Sequence, residues 1–254
     1  MKAKNDFGTL GEIKMKKSLN FIWKWLKRLT IAFFILSIVS VILFRFIPVP
    51  CTPLMVIRAV EQIAHGEMPK IDKDWRRLSK ISADMPLAAM AGEDQKFQNH
   101  FGFDVDAMKK AMKRNERLKA KGKPIKGGST ISQQCAKNVF LIPVRSYIRK
   151  AFEAYFTVLI EVFWSKDRIM EVYLNVIEMG DGIYGIQAAA KNYYKKDAKD
   201  LTAAECAQIA AVLPNPRKWN AGKPNAYVLK RKNWILRQMR NLPQDEEDPE
   251  EAEK

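Results

Sequence analysis

Three stretches of this sequence gather side chains that could do chemistry. The first is Glu93-Asp94, an acidic pair at the end of an otherwise apolar segment and followed by Phe97 and His100. A carboxylate in apolar surroundings has its pKa raised toward a range useful for proton transfer. The second is Gly127-Gly128-Ser129-Thr130-Ile131-Ser132-Gln133-Gln134, leading into Cys135-Ala136-Lys137-Asn138. Glycines before a helix start let the backbone approach a ligand closely, and the first turn offers free amides to an anion. Gln134, Lys137 and Asn138 fall at i, i+3 and i+4, on one helix face that suits a sugar bearing a phosphate. Ser129, Thr130 and Gln133 belong to the same turn, and Thr130 with Gln133 also reads as a capping box. The third stretch holds Arg145, Arg149, Lys150 and Glu153, a cationic group with one acidic partner. As a helix-surface ion pair, Arg149–Glu153 contributes a few tenths of a kcal/mol. At the mouth of a buried helix the same charges would line a phosphate-binding cleft.

The elements that must position these groups are mostly helical. Pro86 suits a first helical turn ahead of Leu87, Met90 and Ala91. Asp104 is placed to cap a helix with Val105, Met108 and Met112 on one face and Lys109, Lys110, Lys113, Arg114 and Arg117 around the rest. Residues 119–128 read as a mobile loop, basic and broken by Gly122, Pro124, Gly127 and Gly128. Ser129 or Thr130 then caps a helix to Phe140. Further helices are expected over 145–164, where 154–164 is apolar nearly all round and so buried, and over 166–179, stopped by Gly180. Two more follow, one capped by Thr202 with Glu205 and one over 226–240. No convincing alternating strand is found.

Residues 29–44 form an apolar run interrupted only by Thr30, Ser37 and Ser40, with Trp23 and Trp25 before it and Arg45 after it. About 20 apolar residues cross a bilayer, and aromatic residues favour its interface. The context of Pro48 and Pro50 is poor for cleavage, which makes this an uncleaved anchor. Lys14, Lys16, Lys17, Lys24, Lys27 and Arg28 hold the N-terminus in the cytoplasm, so the body lies on the far side of the membrane. The formal net charge of +16 points to an anionic partner. Outside the cytoplasm that partner is lipid or phosphate, not nucleic acid. Three widely spaced cysteines and two histidines give neither a disulfide framework nor a zinc pattern.

Taken in order, these segments resemble the family 51 glycosyltransferases. Glu93-Asp94-Gln95-Lys96-Phe97-Gln98-Asn99-His100-Phe101-Gly102 resembles the family's first motif, and Gly127 to Asn138 the second. Arg149-Lys150-Ala151-Phe152-Glu153 resembles the third. Lys166-Asp167-Arg168-Ile169-Met170-Glu171-Val172-Tyr173-Leu174-Asn175 resembles the fourth, with Met170 where Leu is usual. Gly182, Gly185, Ala189, Tyr193, Tyr194 and Lys196 resemble the fifth, with Tyr194 where Phe is usual. The resemblance runs from Pro86 to Arg217. With no transpeptidase domain after it, the chain is similar to the monofunctional, biosynthetic peptidoglycan transglycosylases.

The resemblance implies a mainly α, lysozyme-like glycosyltransferase domain carried on one N-terminal transmembrane helix. The expected layout is a basic cytoplasmic segment (1–28), an anchor (29–47), a connector (48–85), the glycosyltransferase domain (86–240) and an acidic tail (241–254). It implies polymerisation of lipid II into β-1,4-linked glycan strands, with Glu93 as general base and Glu153 as the second catalytic carboxylate. Substrate contacts fall to Ser129, Thr130, Gln133, Gln134, Lys137, Asn138, Arg145, Arg149 and Lys150. No organic cofactor is expected, and Glu153 is the one candidate ligand for a divalent cation such as Mg2+. Expected partners are lipid II, the growing lipid-linked chain, membrane lipids and other cell-wall synthesis proteins. The implied location is the inner membrane, single-pass, with the catalytic domain periplasmic. The alternatives are a lysozyme-like lytic enzyme and a non-catalytic anchored scaffold. Neither the basic group beside Glu153 nor an anchor is needed for the first, and Glu93 is not needed for the second.

Overall fold

The computed structural model of the chain describes residues 3–120, 122, 127–144 and 146–242, with side chains from residue 19 onward. Two compact units result, Met1–Ile47 and Pro48–Lys254.

The first unit is essentially one helix, α1 (Ala3–Phe46). Its part from Leu19 to Phe46 is long and apolar enough to cross a membrane, consistent with a single-pass anchor. At 1.5 Å per residue those 28 residues reach about 42 Å, more than the roughly 30 Å of a hydrocarbon core. Helical structure thus starts well before the apolar run at residue 29, because Leu19, Phe21, Ile22, Trp23, Trp25 and Leu26 keep the segment apolar around three basic residues.

The second unit begins at Pro48, and Pro48 and Pro50 keep its first residues from continuing a helix. Thr52 caps α2 (Pro53–Ala64), accepting from the Met55 amide. The remaining helices are α3 (Asp84–Glu93), α4 (Val105–Ala120), α5 (Ile131–Phe140), α6 (Tyr147–Phe163), α7 (Lys166–Val176), α8 (Ile186–Tyr194), α9 (Ala203–Val212) and α10 (Ala226–Met239). The fold is mainly α, as expected. Packing falls into two groups. In one, α9 contacts both α3 and α10; in the other, α5 contacts both α6 and α7. The deepest side chains, Phe97, Met85, Ile131, Ile160, Ile169, Tyr173, Leu174 and Ile209, come from both groups. Each such side chain contributes about 1.5–3 kcal/mol by leaving water.

Two corrections to the sequence reading concern local structure. A helix was expected to run to Met179, but α7 stops at Val176 and the chain enters a small sheet. Its strands are β1 (Asp72–Lys73), β2 (Glu178–Gly180) and β3 (Ile183–Tyr184), in the order β1-β3-β2. β1 runs parallel to β3, and β2 runs antiparallel to it. Strands of two or three residues are too short to show alternation. Of the two caps expected for α5, Thr130 is the one found, and with Gln133 it forms the complete capping box. The second correction is α6, which is not buried all round: Phe152, Val158 and Val162 are exposed while Glu153, Phe156, Thr157 and Ile160 are buried. Composition cannot separate a helix enclosed by protein from one with an apolar face turned outward.

Other readings hold. The Asp104 carboxylate accepts from the Ala107 amide at 2.8 Å and caps α4, and Thr202 with Glu205 caps α9. All three cysteines are free thiols; Cys135 and Cys206 are buried and Cys51 is exposed. Most of the expected loop after α4, and most of the expected acidic tail, lie outside the described residues.

Candidate active site

Glu93 is the last residue of α3, where the two packing groups meet. Its carboxylate accepts from Gln134 Nε2 on α5 at 3.0 Å and from Arg231 Nη2 on α10 at 3.1 Å. Only 14% of its side chain is exposed. Desolvation pushes the Glu93 pKa up, and its hydrogen bonds and the Arg231 charge offset only part of that rise. The group is therefore poised to accept a proton.

Asp94 has a different task. It is 6% exposed, and both of its oxygens lie 3.0 Å from His100 Nε2. One oxygen also accepts from the Ile131 amide, in the first turn of α5. The Thr130 hydroxyl donates to the Gly102 carbonyl at 2.7 Å. Gly102 has φ 76°, and a Cβ there would sit 2.7 Å from Thr157 Cγ2 on α6. Glycine is required on both counts. The Asp94–Gly102 segment is thus fastened to the starts of α5 and the middle of α6, and this fixes Glu93 relative to both helices.

The second carboxylate, Glu153, is 2% exposed. Arg149 Nη1 lies 2.5 Å from one of its oxygens, and the Lys150 ammonium pairs with the other. Ser146 caps α6 through the Arg149 amide and so orients the turn that carries these cations. Lys137, on α5, is half-buried, and no hydrogen bond or ion pair to its ammonium is found among the described residues. Burial lowers its pKa most strongly; Glu153 and Glu93 act to raise it and Arg149 and Lys150 to lower it. An ammonium so placed lies within electrostatic range of both carboxylates and has donors to spare.

Of the remaining expected contacts, Gln134 meets Glu93 directly. Asn138 Nδ2 donates to the Gln134 carbonyl, which sets its side chain along the same face. Thr130 and Gln133 are buried and committed to the capping box, so the structure places them as framework. Ser129 stands at the entry to α5, and Arg145 lies outside the described residues. No group of three His, Cys, Asp or Glu side chains close enough to hold a metal ion is found among the described residues. Both Glu153 oxygens are engaged by cations, and the described residues around it do not gather the oxygen-rich set that Mg2+ prefers.

This constellation can be set beside known proteins. A family model described as Transglycosylase matches residues 60–240. The chain is 54% identical to a biosynthetic peptidoglycan transglycosylase of Bacteroides thetaiotaomicron over 222 residues, covering 87% of this chain and 88% of the relative. It is 54% identical over 215 residues to the protein of that name from Caulobacter vibrioides, covering 83% and 90%. The protein of that name from Bdellovibrio bacteriovorus is 49% identical over 222 residues, covering 87% of each chain.

The chain belongs to the peptidoglycan transglycosylase family.

In this transglycosylase, three features of the site escaped the sequence reading. Arg231 comes from Lys230-Arg231-Lys232, which reads as a solvated basic run. Its spacing held the signal: Val228, Ile235 and Met239 are the buried residues of α10, and Arg231 lies three after the first and four before the second. Tyr173, fully buried on α7, feels both Glu93 and Asp94, and its hydroxyl has no hydrogen-bond partner among the described residues. Glu161 on α6 accepts from Ser132 and from Lys166, and Lys166 also donates to the His100 carbonyl at 2.6 Å. The fourth motif serves mainly as a brace. Glu171 accepts from the Leu78 amide, and Asn175 exchanges hydrogen bonds with the Arg76 backbone.

Proposed function

We propose that the transglycosylase polymerises lipid II, with Glu93 as general base and a cation group held by Glu153 receiving the departing pyrophosphate. The observation that carries this reading is one enclosed carboxylate of raised pKa together with Lys137, whose ammonium has no hydrogen bond or ion pair among the described residues and feels both that carboxylate and Glu153 with its partners Arg149 and Lys150.

An inverting transfer needs a base for the acceptor hydroxyl. Pyrophosphate leaves without protonation, but its charge must be met. Glu93 takes the proton of the acceptor 4-hydroxyl, and the freed oxygen attacks the anomeric carbon of the lipid-linked chain. The bond from that carbon to the pyrophosphate oxygen breaks, α inverts to β, and undecaprenyl pyrophosphate departs. Lys137, Arg149 and Lys150, with Arg145, are the proposed charge partners. Glu153 orients them. No step is routed through a metal ion.

The surface supports a lipid-borne substrate. Ile142, Val144, Tyr147, Ile148, Phe152, Val158 and Val162, from α6 and the segment before it, are exposed. On α4, Val105 and Met112 are exposed beside Lys109, Lys110, Lys113 and Arg114. The apolar surface of α6 and the basic, partly apolar surface of α4 each suit the outer leaflet, where the substrate resides. On this reading the second unit lies on the periplasmic side of the inner membrane. Other cell-wall synthesis proteins are the candidate partners there.

The test is to incubate the detergent-solubilised full chain with lipid II alone, and in parallel with preformed peptidoglycan. Long glycan strands from lipid II are the expected product. Soluble muropeptides from preformed wall would indicate the lytic alternative, and turnover of neither substrate would indicate a scaffold.

A further inference from the structure

Arg231 reaches Glu93 from an element that carries none of the motif residues. Its Nη2 donates at 3.0 Å to the Gly92 carbonyl and at 3.1 Å to Glu93 Oε1. Gly92 lets α10 come this close: a Cβ there would lie 3.3 Å from Ile235 Cδ1. The Gly92 carbonyl is among the last of α3, so the guanidinium also caps the negative end of that helix. One side chain therefore fixes both the end of α3 and the carboxylate that the end carries.

We propose that Arg231 is a positioning residue of the transglycosylase, clamping Glu93 against the end of α3 and keeping it in the carboxylate form that the transfer consumes. The inference rests on the reading of Glu93 as base and deepens it. The groups facing Glu93 are Gln134 and Lys137 from α5, Tyr173 from α7, Arg231 from α10 and its neighbour Asp94. Gln134 is neutral and favours the carboxylate through its hydrogen bond alone, Asp94 opposes ionisation, and Tyr173 is held in its neutral form by burial. Lys137 feels Glu153 more strongly than Glu93. Arg231 is the one cation with a direct hydrogen bond to Glu93 among the described residues. An opposite charge at this range lowers a carboxyl pKa by about 1–3 units. Without it, desolvation would hold Glu93 protonated to higher pH. Loss of Arg231 then lowers the active fraction at neutral pH without touching either lipid-linked substrate.

The experiment measures kcat and KM for lipid II across pH for the full chain and for Arg231→Gln, Arg231→Lys and Glu93→Gln. In Arg231→Gln the acid limb of kcat is expected to move up by about one pH unit, with about tenfold lower kcat below that limb. The rate should recover as pH rises, and KM should stay near wild type. Partial unfolding would lower the amplitude at every pH and leave the limb in place. Should Arg231→Gln not fold, Arg231→Lys carries the test. Its ammonium lacks the planar fork, so kcat falls at constant KM. An unshifted acid limb in folded Arg231→Gln, or an unchanged kcat in Arg231→Lys, overturns the inference while Glu93→Gln stays inactive. Turnover by Glu93→Gln at the wild-type rate overturns the base assignment, and this inference with it.

Discussion

At the scale of single residues, the site is two carboxylates in opposite conditions. Glu93 is enclosed and incompletely compensated; Glu153 is enclosed and doubly paired. A positioned general base contributes about 10²–10⁴-fold. Glu93→Gln should therefore cut lipid II polymerisation by at least that range while leaving lipid II binding intact, as read by strand synthesis and by binding to the solubilised protein. The pH profile follows from the shifts. As the proposed base Glu93 must be ionised to act, and its pKa is raised, so the acid limb of kcat should lie above the ordinary glutamate value. In its proposed contact with phosphate Lys137 must be charged, and its pKa is lowered, so the alkaline limb of kcat/KM should begin below the ordinary lysine value. Lys137→Ala and Arg149→Ala should each weaken donor use by about 1.5–3 kcal/mol, the range for a charge-assisted contact. Wild-type rates in both would reduce the cluster to surface ion pairs. Glu93, Gln134, Lys137, Arg149 and Glu153 could be singled out as candidates because each sits in a short local motif that the family resemblance marks. Arg231 was not, because its meeting with Glu93 spans 138 positions and depends on how α10 crosses α3.

At the scale of elements, the helices and their caps were readable from short-range signals: Asp104 before α4, Thr130 with Gln133 on α5, Thr202 with Glu205 on α9. The sheet was not, since its pairing joins Asp72–Lys73 to residues more than a hundred positions away. Nor was the outward face of α6. That face and α4 carry the membrane prediction. Each basic residue near an anionic surface adds roughly 1 kcal/mol of attraction. A variant lacking residues 1–47 should still bind vesicles rich in anionic lipid in a sedimentation assay. Replacing Lys109, Lys110, Lys113 and Arg114 by Gln in that variant should release it, and in the full chain should slow polymerisation. Equal vesicle binding with and without those four residues would leave α4 as a solvated basic helix. A further test addresses the Gly102 junction. Gly102→Ala forces a side chain into positive φ and against Thr157, at about 2–4 kcal/mol of combined strain and overpacking, visible as a lowered Tm.

At the scale of the whole molecule, a helix suited to spanning a membrane and a helical body bearing the site are successive parts of one chain. The exposed Cys51 lies a few residues beyond Phe46, where α1 ends, while the other two thiols are shut inside the body. The sequence thus carries one accessible thiol just past the candidate span, placed to report which side of a membrane the body occupies. In spheroplasts, a maleimide that cannot cross lipid should modify Cys51 at once if the body faces outward. If the body faces inward, modification should wait until the membrane is opened.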